Sequence, residues 1–382
     1  MRWRPAGCAA GLAVGAALAA LGAAELALRL FAPQALLHDP DAFLPDPNLG
    51  ARLKPGFADR VVTTEFSSTW AINVDGYRGP RAGSRGPADL RVVTLGDSFT
   101  FGYGVEEEQA WPRQLERLLD EGSGPSAAGV EVLNLGVGGY GTWQEAAWLE
   151  EKAPSLKPDL VVLGFYVGND PADNARAARA ARASHDGGEG GATPAEAGGS
   201  RTERLKRWLG SRVHLYALVS TRGDELLVRL GLRQLVYPFE MEILRPRETP
   251  EVSEAWRSTQ PALTRLAVFS RRTGTPVMVV VIPMKHQVSE PVWRRLVAHY
   301  AGEWDRDRPQ RLMRDMLGVE GLEEIDLLEG LRQEAAREPN VPLYWARDQH
   351  WSAAGHAAAA RLIAGGLRKG ILADRLRGSG SE

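Results

Sequence analysis

Four short, mostly apolar runs constrain the fold of this chain more than anything else in it: Leu90–Leu95, Val130–Leu135, Leu160–Phe165 and Val277–Ile282. They are rich in Val and Leu and read as runs rather than as the strict alternation of a strand with one wet face. Helix-like stretches separate them, among them Ala110–Leu119, Thr142–Lys152 and Pro291–Leu317. Strands buried on both faces and joined by helices make a parallel sheet covered on both sides. A fifth, weaker strand is expected near Glu324–Leu327. The expected fold is a flavodoxin-like three-layer α/β/α sandwich around a central parallel sheet.

That domain is expected to run from 89 to 372, followed by a solvated tail at 373–382. The regular alternation breaks at 171–250. Within that block Ala175–Ser200 is low-complexity Ala/Arg and Gly/Glu/Ala sequence, too poor in apolar residues to pack, and is expected to be a mobile loop. Helix-like sequence follows from Thr202 to about Leu235, and the block reads as an insertion into the domain. Residues 33–88 carry Pro, Gly, Asp and Arg, an alternating segment at Arg60–Phe66 and a turn signal at Asp75-Gly76, as expected of a connector with a small hairpin or two.

Residues 1–32 are expected to form an export signal or membrane anchor. Arg2 and Arg4 precede an uncharged stretch, Ala6–Ala24, and a helical pattern continues past Glu25 through Leu26, Leu28, Leu30 and Phe31 to Pro33. Positive charge ahead of an apolar run keeps the N-terminus cytoplasmic and sends the remainder across. An uncleaved anchor, with the domain on the extracytoplasmic side, is the favoured expectation, and secretion after cleavage behind Ala24 is the alternative. The net charge of −2, from 46 basic and 48 acidic residues, supplies no field for tracking phosphates and argues against nucleic acid as a partner. Cys8 is the single cysteine, which excludes an internal disulfide.

In an open parallel sheet, function gathers at the carboxyl ends of the strands. The first run is followed by Gly96-Asp97-Ser98-Phe99-Thr100-Phe101-Gly102, the second by Gly136-Val137-Gly138-Gly139-Tyr140-Gly141, and the third by Gly168-Asn169-Asp170. Near the C-terminus stands Asp348-Gln349-His350-Trp351, ahead of a helix opening at Ser352. A serine hydroxyl needs a base with a pKa near the working pH, and histidine meets that need. Residues two apart in an extended loop share a side, so Asp348 can lie against the His350 ring and fix its tautomer.

These four blocks, in this order, resemble the SGNH hydrolase superfamily, named for Ser, Gly, Asn and His. The resemblance covers about 89–170 and 270–370. It implies Ser98 as nucleophile, His350 with Asp348 as the base pair, and Ser98, Gly139 and Asn169 as oxyanion donors. Many members space acid and base as Asp-x-x-His, whereas Asp348 and His350 have one residue between them. That spacing, with the N-terminal segment, looks more like the extracytoplasmic branch that includes alginate O-acetyltransferase-like proteins.

The function expected is ester hydrolysis through a Ser-His-Asp triad and an acyl-enzyme, on acylated small molecules, lipids or glycans. An O-acyltransferase on the same triad is the nearer alternative. A catalytically silent binding or assembly protein on the same fold is the more distant one. The pattern Gly136-x-Gly138-x-x-Gly141 also fits a dinucleotide fingerprint, but the next strand ends in Gly164-Phe165-Tyr166 where an acidic residue is required. No cofactor is expected. His38, His185, His214 and His299 lack metal-ligand spacing, so no metal is expected either. Lys285 and His286 read as a solvated loop or crevice lining, His356 as packing or surface, and Arg78 as part of a turn or the partner of a carboxylate near the site.

Overall fold

The computed structural model describes residues 6–34, 36–38, 40–84, 86, 89–121, 129–185, 201–229 and 238–371. Helix α1 (Ala6–Phe31) opens the chain, followed by two short hairpins, β1 (Phe43–Asp46) with β2 (Gly50–Leu53) and β3 (Ala58–Val62) with β4 (Ser67–Ala71). Then come the strands expected from the apolar runs: β5 (Leu90–Gly96), β6 (Val130–Asn134), β7 (Leu160–Tyr166), β8 (Val277–Ile282) and β9 (Glu323–Asp326). They form one sheet in the order β6-β5-β7-β8-β9, every neighbouring pair parallel. Every residue of β5, β7 and β8 is buried, which is why these strands read as runs.

Helices α2 (Ser98–Phe101) and α3 (Trp111–Glu121) follow β5, and α4 (Thr142–Leu156) follows β6. Between β7 and β8 lie α5 (Asp170–His185), α6 (Arg201–Gly210), α7 (His214–Arg229), α8 (Pro238–Glu242) and α9 (Pro250–Thr273). Helices α10 (Lys285–Val288), α11 (Glu290–His299) and α12 (Arg308–Glu320) precede β9, with α13 (Leu328–Arg337) and α14 (Ala353–Lys369) after it. Helix α3 packs on β6 and α14, while α4, α5 and α9 pack on one another. Local sequence explains the long α9: the Thr249 hydroxyl accepts from Val252 N, Pro250 supplies a preset φ in the first turn, and Gly274 ends the helix at φ +71°.

Three expectations change. Pro291–Leu317 is two helices, because Gly302 at φ +143° turns the chain and Pro309 starts a new helix. The expected loop from Ala175 is helical as far as His185, since its Ala/Arg sequence is among the best for helix formation; 186–200 lies outside the described residues. The helical stretch from Thr202 is broken between Gly210 and His214, and its last part, like the tail, lies outside the described residues.

The chain falls into two compact units, one of 1–40, 60–67 and 197–235 and the other of 41–59, 68–196 and 236–382. The inserted α6 and α7 thus group with the N-terminal helix rather than with the sheet. In that smaller unit Glu25 accepts the amides of His214 and Leu215, at 3.0 and 2.7 Å, and so caps α7. Gly11–Phe31 is long and apolar enough to cross a membrane, with mean hydropathy 1.8.

In the larger unit the connector is fastened to the sheet through Arg78. This side chain is 1% exposed and pairs with no carboxylate among the described residues. Its guanidinium instead donates to the carbonyls of Phe101, Gly102, Thr69 and Val105 at 2.7–2.9 Å. Burial lowers its pKa to about 10, against the pull of Glu107, Glu106 and Glu108. Two of those carbonyls stand at the end of helix α2, where backbone acceptors have no partner within the helix, and Arg78 supplies one to each. Arg78→Met is therefore expected to destabilise the protein by about 3 kcal/mol or more, read as a lower midpoint in urea unfolding. A midpoint unchanged from wild type would contradict the anchoring role.

Candidate active site

The strand order β6-β5-β7 reverses at β5, and an open α/β sheet has its crevice where the order reverses. Strand β5 ends at Gly96, with φ +147°, where a Cβ would stand 2.1 Å from Thr100 Oγ1; only glycine fits. The chain turns there directly into α2. Asp97 caps that helix, its Oδ1 accepting Phe99 N at 2.8 Å, and Ser98 is the first helical residue, half-buried.

His350 comes from the loop between α13 and α14, which is closed on itself. Tyr344 bridges Trp351, Trp345 N donates to the His350 carbonyl at 3.0 Å, and Ser352 N donates to Leu343 O at 2.9 Å. Ser352 then caps α14 by accepting Gly355 N. Trp351 is wholly buried, its ring edge-on to Phe99 at 5.0 Å. From β8's end, Lys285 Nζ donates to the carbonyls of Trp345 and Ala346, both at 2.6 Å.

So held, His350 Nε2 lies 2.6 Å from Ser98 Oγ and Nδ1 lies 2.5 Å from Asp348 Oδ1. Asp348 Oδ1 also accepts the His350 amide at 2.8 Å. A carboxylate can only accept, so Nδ1 carries the proton and Nε2 is free to take the serine's. Burial pushes the Asp348 carboxyl up, but the hydrogen bonds from the His350 ring and amide, with the charges of His350 and Lys285, outweigh it and hold the group below the usual range. The imidazole packs against two aromatic rings, Phe99 at 5.0 Å and Tyr103 at 4.7 Å between centroids.

The glycine block reaches the same rim. A Cβ on Gly138 would lie 3.8 Å from Ser98 Cβ, and Gly139, exposed and at φ +82°, is the next residue. Asn169 is half-buried just ahead of α5, close enough to the Asp97 carboxyl beside Ser98 to pull its pKa down against burial. The structure brings Ser98, His350 and Asp348 into one hydrogen-bonded chain, with Gly138, the neighbour of Gly139, against Ser98 and Asn169 near Asp97.

Other residues need correction. Lys285 is the strut of the His350 loop rather than part of a solvated loop, and His286 is fully buried, its pKa lowered to about 3 by burial, so it is neutral. His356 needs none, since it packs as one of its two expected roles: it is buried against Trp351, and its Nδ1 accepts Trp111 N at 3.3 Å. Arg78 binds carbonyls rather than a carboxylate. The glycines of the dinucleotide-like pattern admit close packing: a Cβ on Gly136 would sit 2.3 Å from Phe101 N, and one on Gly141 would sit 2.9 Å from Asp173 Cβ. Sequence reasoning missed Phe99 and Tyr103 as neighbours of the imidazole, although both stand in or beside the serine block.

A family model described as the GDSL-like lipase/acylhydrolase family matches residues 94–358, and the chain belongs to that family. It is an ester-hydrolysing enzyme of α/β fold. Among solved structures it is similar to a two-domain esterase active on acetylated mannans, at 14% identity over 74% of this chain and 49% of that one, with TM-score 0.40. It is also similar to LAE5, an alpha/beta hydrolase enzyme from the metagenome of Lake Arreo, Spain, at 14% identity over 78% of this chain and 100% of that one, TM-score 0.40. A third is a catalytic mutant of an acetylxylan esterase from Geobacillus stearothermophilus, at 14% identity over 78% and 98%, TM-score 0.38. No curated protein matches the sequence.

Four carboxyls are buried behind the serine: Asp97, Glu145, Asp170 and Asp173. Burial raises all four, and their mutual repulsion adds to it for Glu145, Asp170 and Asp173; Asp173 is brought to about 7 and Glu145 and Asp170 lie well above the usual range. A folded state that keeps a proton the unfolded chain has released loses stability as pH rises past the ordinary carboxyl range. Glu145→Gln, which keeps the shape and removes the titration, is expected to melt a few degrees higher than wild type at pH 8 and at the same temperature near pH 4. Equal melting at both values would show that Glu145 is not held neutral.

Proposed function

We propose that the protein hydrolyses esters in two steps through an acyl-enzyme on Ser98. The observation that carries this reading is the pair of short hydrogen bonds, Ser98 Oγ to His350 Nε2 and His350 Nδ1 to Asp348, at 2.6 and 2.5 Å. As Ser98 Oγ attacks the carbonyl carbon, its proton passes to Nε2. Asp348 stabilises the imidazolium.

The tetrahedral oxygen accepts from the amides of Ser98 and Gly139 and from the Asn169 side chain, each worth about 3 kcal/mol in the transition state. An Asn amide has two N–H groups, either of which can serve the oxyanion from Asn169. Collapse expels the alcohol, which takes its proton from His350. Water, deprotonated by the same imidazole, then attacks the acyl-enzyme and frees the acid. Helix α1 is the membrane anchor in this reading, with Arg2 and Arg4 on the cytoplasmic side and the hydrolase domain outside.

Ser98→Ala is expected to cut turnover on p-nitrophenyl acetate by about 10⁵ to 10⁶, and Asn169→Ala by about 10² to 10³, both with wild-type melting. Ester hydrolysis at wild-type rates by Ser98→Ala would overturn the mechanism.

A further inference from the structure

The smaller unit carries apolar side chains that its own packing leaves uncovered. Leu205 and Trp208 on α6, and Val219, Leu226 and Leu227 on α7, are each 40–61% exposed. Outside α1, the other Val, Leu and Trp side chains so exposed among the described residues all belong to the larger unit, each in a different strand, helix or loop. Single exposed apolar residues are ordinary, whereas five on two helices that pack together call for a partner. Leu205 and Trp208, three apart, share one side of α6, and Val219 and Leu226, two turns apart, share one side of α7. Residues 201–229 also hold seven Lys and Arg against three Asp and Glu.

The partner follows from where these helices are fastened. Besides the two amides of α7 that Glu25 accepts, Arg29 Nη2 donates to Arg212 O at 2.8 Å, Gln34 N to His214 Nδ1 at 2.9 Å and Leu37 N to Gly210 O at 3.0 Å. The turn between α6 and α7 is thus tied to the C-terminal end of α1. At 1.5 Å per residue the uncharged stretch Ala6–Ala24 is about 28 Å long, close to the roughly 30 Å of a bilayer's hydrocarbon core. With that stretch in the hydrocarbon, Glu25 stands where the headgroups begin, and so does the turn it holds.

A helix pair at that depth, with exposed Leu, Val and Trp and a surplus of basic residues, is suited to the membrane surface. Its apolar side chains enter the edge of the acyl layer, an indole rests among the headgroups, and cations meet lipid phosphate. The Trp208 ring, with the Arg212 guanidinium 5.7 Å from its centre, has both kinds of contact in one place. A second copy of the chain suits the surface less, since a symmetric contact would set two basic faces against each other. We infer that α6 and α7 lie in the headgroup layer of the bilayer, a second membrane contact beside the α1 anchor, with Trp208, Val219 and Leu226 in the lipid. The inference rests on the anchor reading above and adds a surface to it.

The test uses the full-length protein with its single cysteine removed by Cys8→Ser and one new cysteine at a time: Leu18→Cys in the span, Val219→Cys or Leu226→Cys on α7. Each is labelled with a small fluorophore and reconstituted into vesicles of phosphatidylcholine and phosphatidylglycerol, with and without nitroxide-bearing lipids. Turnover of p-nitrophenyl acetate like that of the unlabelled protein shows that a variant is folded, and two positions on α7 keep the test open if one fails. The expected result is that all three probes lose about half or more of their emission to the nitroxide lipids, Leu18→Cys to a label deep in the acyl chains and the α7 positions to one near the headgroups. Quenching at Leu18→Cys with none at Val219→Cys and Leu226→Cys would overturn the inference and leave the anchor standing. Probes on α7 that are shielded from a water-soluble quencher yet untouched by the nitroxide lipids would assign the surface to a protein partner, and would overturn it too. An unquenched Leu18→Cys would end the anchor reading, and the inference with it.

Discussion

A 2.6 Å hydrogen bond joins two side chains 252 positions apart, the hydroxyl of Ser98 and the imidazole of His350. Much of the larger unit bears on that contact. The reversal of strand order at β5 sets the serine at the mouth of the crevice, and the glycine at 96 lets the strand turn at once into a helix. The imidazole is fixed from several directions: the self-paired loop 343–352, the cap of α14, the Lys285 strut and the two aromatic rings. A proton transfer demands heavy atoms within about 2.6–3.2 Å, and a loop held by one contact would not keep that distance.

The electrostatics behind the serine run against the common way of burying charge, in which opposite charges pair. Arg78 is buried without a carboxylate among the described residues, its two Nη atoms bonded to backbone oxygens, while four carboxyls lie buried near one another, with Asp173 paired to the more exposed Arg176. For Glu145 and Asp170, held well above the usual carboxyl range, the arrangement is consistent with the protonated form, which is far cheaper to bury than an ion. Asp97 has a specific place among them, because its carboxyl accepts the amide of Phe99 and so fixes the serine turn. The cost is a fold that is less stable where those protons leave.

Much of this was legible in the sequence, because it was written in local pattern. Each apolar run became a strand within a residue or two, and the blocks that hold Ser98, Gly139, Asn169, Asp348 and His350 stood after strands or before a helix, the family resemblance singling out the residue within each. What could not be read depends on distant packing. Lys285 is indistinguishable from a surface lysine until the 345–346 carbonyls are known to face it. Arg78 carries no sign in sequence that its partners are the carbonyls of the serine helix. Glu145 looks like any helix-surface glutamate, yet is 1% exposed because α4 turns that side inward. The grouping of α6 and α7 with the N-terminal helix was hidden for the same reason, since the contact from Glu25 to His214 spans 189 positions.

The most direct test of the central contact is to treat the full-length protein with a fluorophosphonate, digest it and locate the adduct by mass spectrometry. A serine phosphonylates rapidly only when a base takes its proton, so a single modified peptide containing Ser98 is predicted, with labelling largely lost in His350→Ala. An adduct at another residue, or none at all in a preparation that still hydrolyses esters, would contradict the relay.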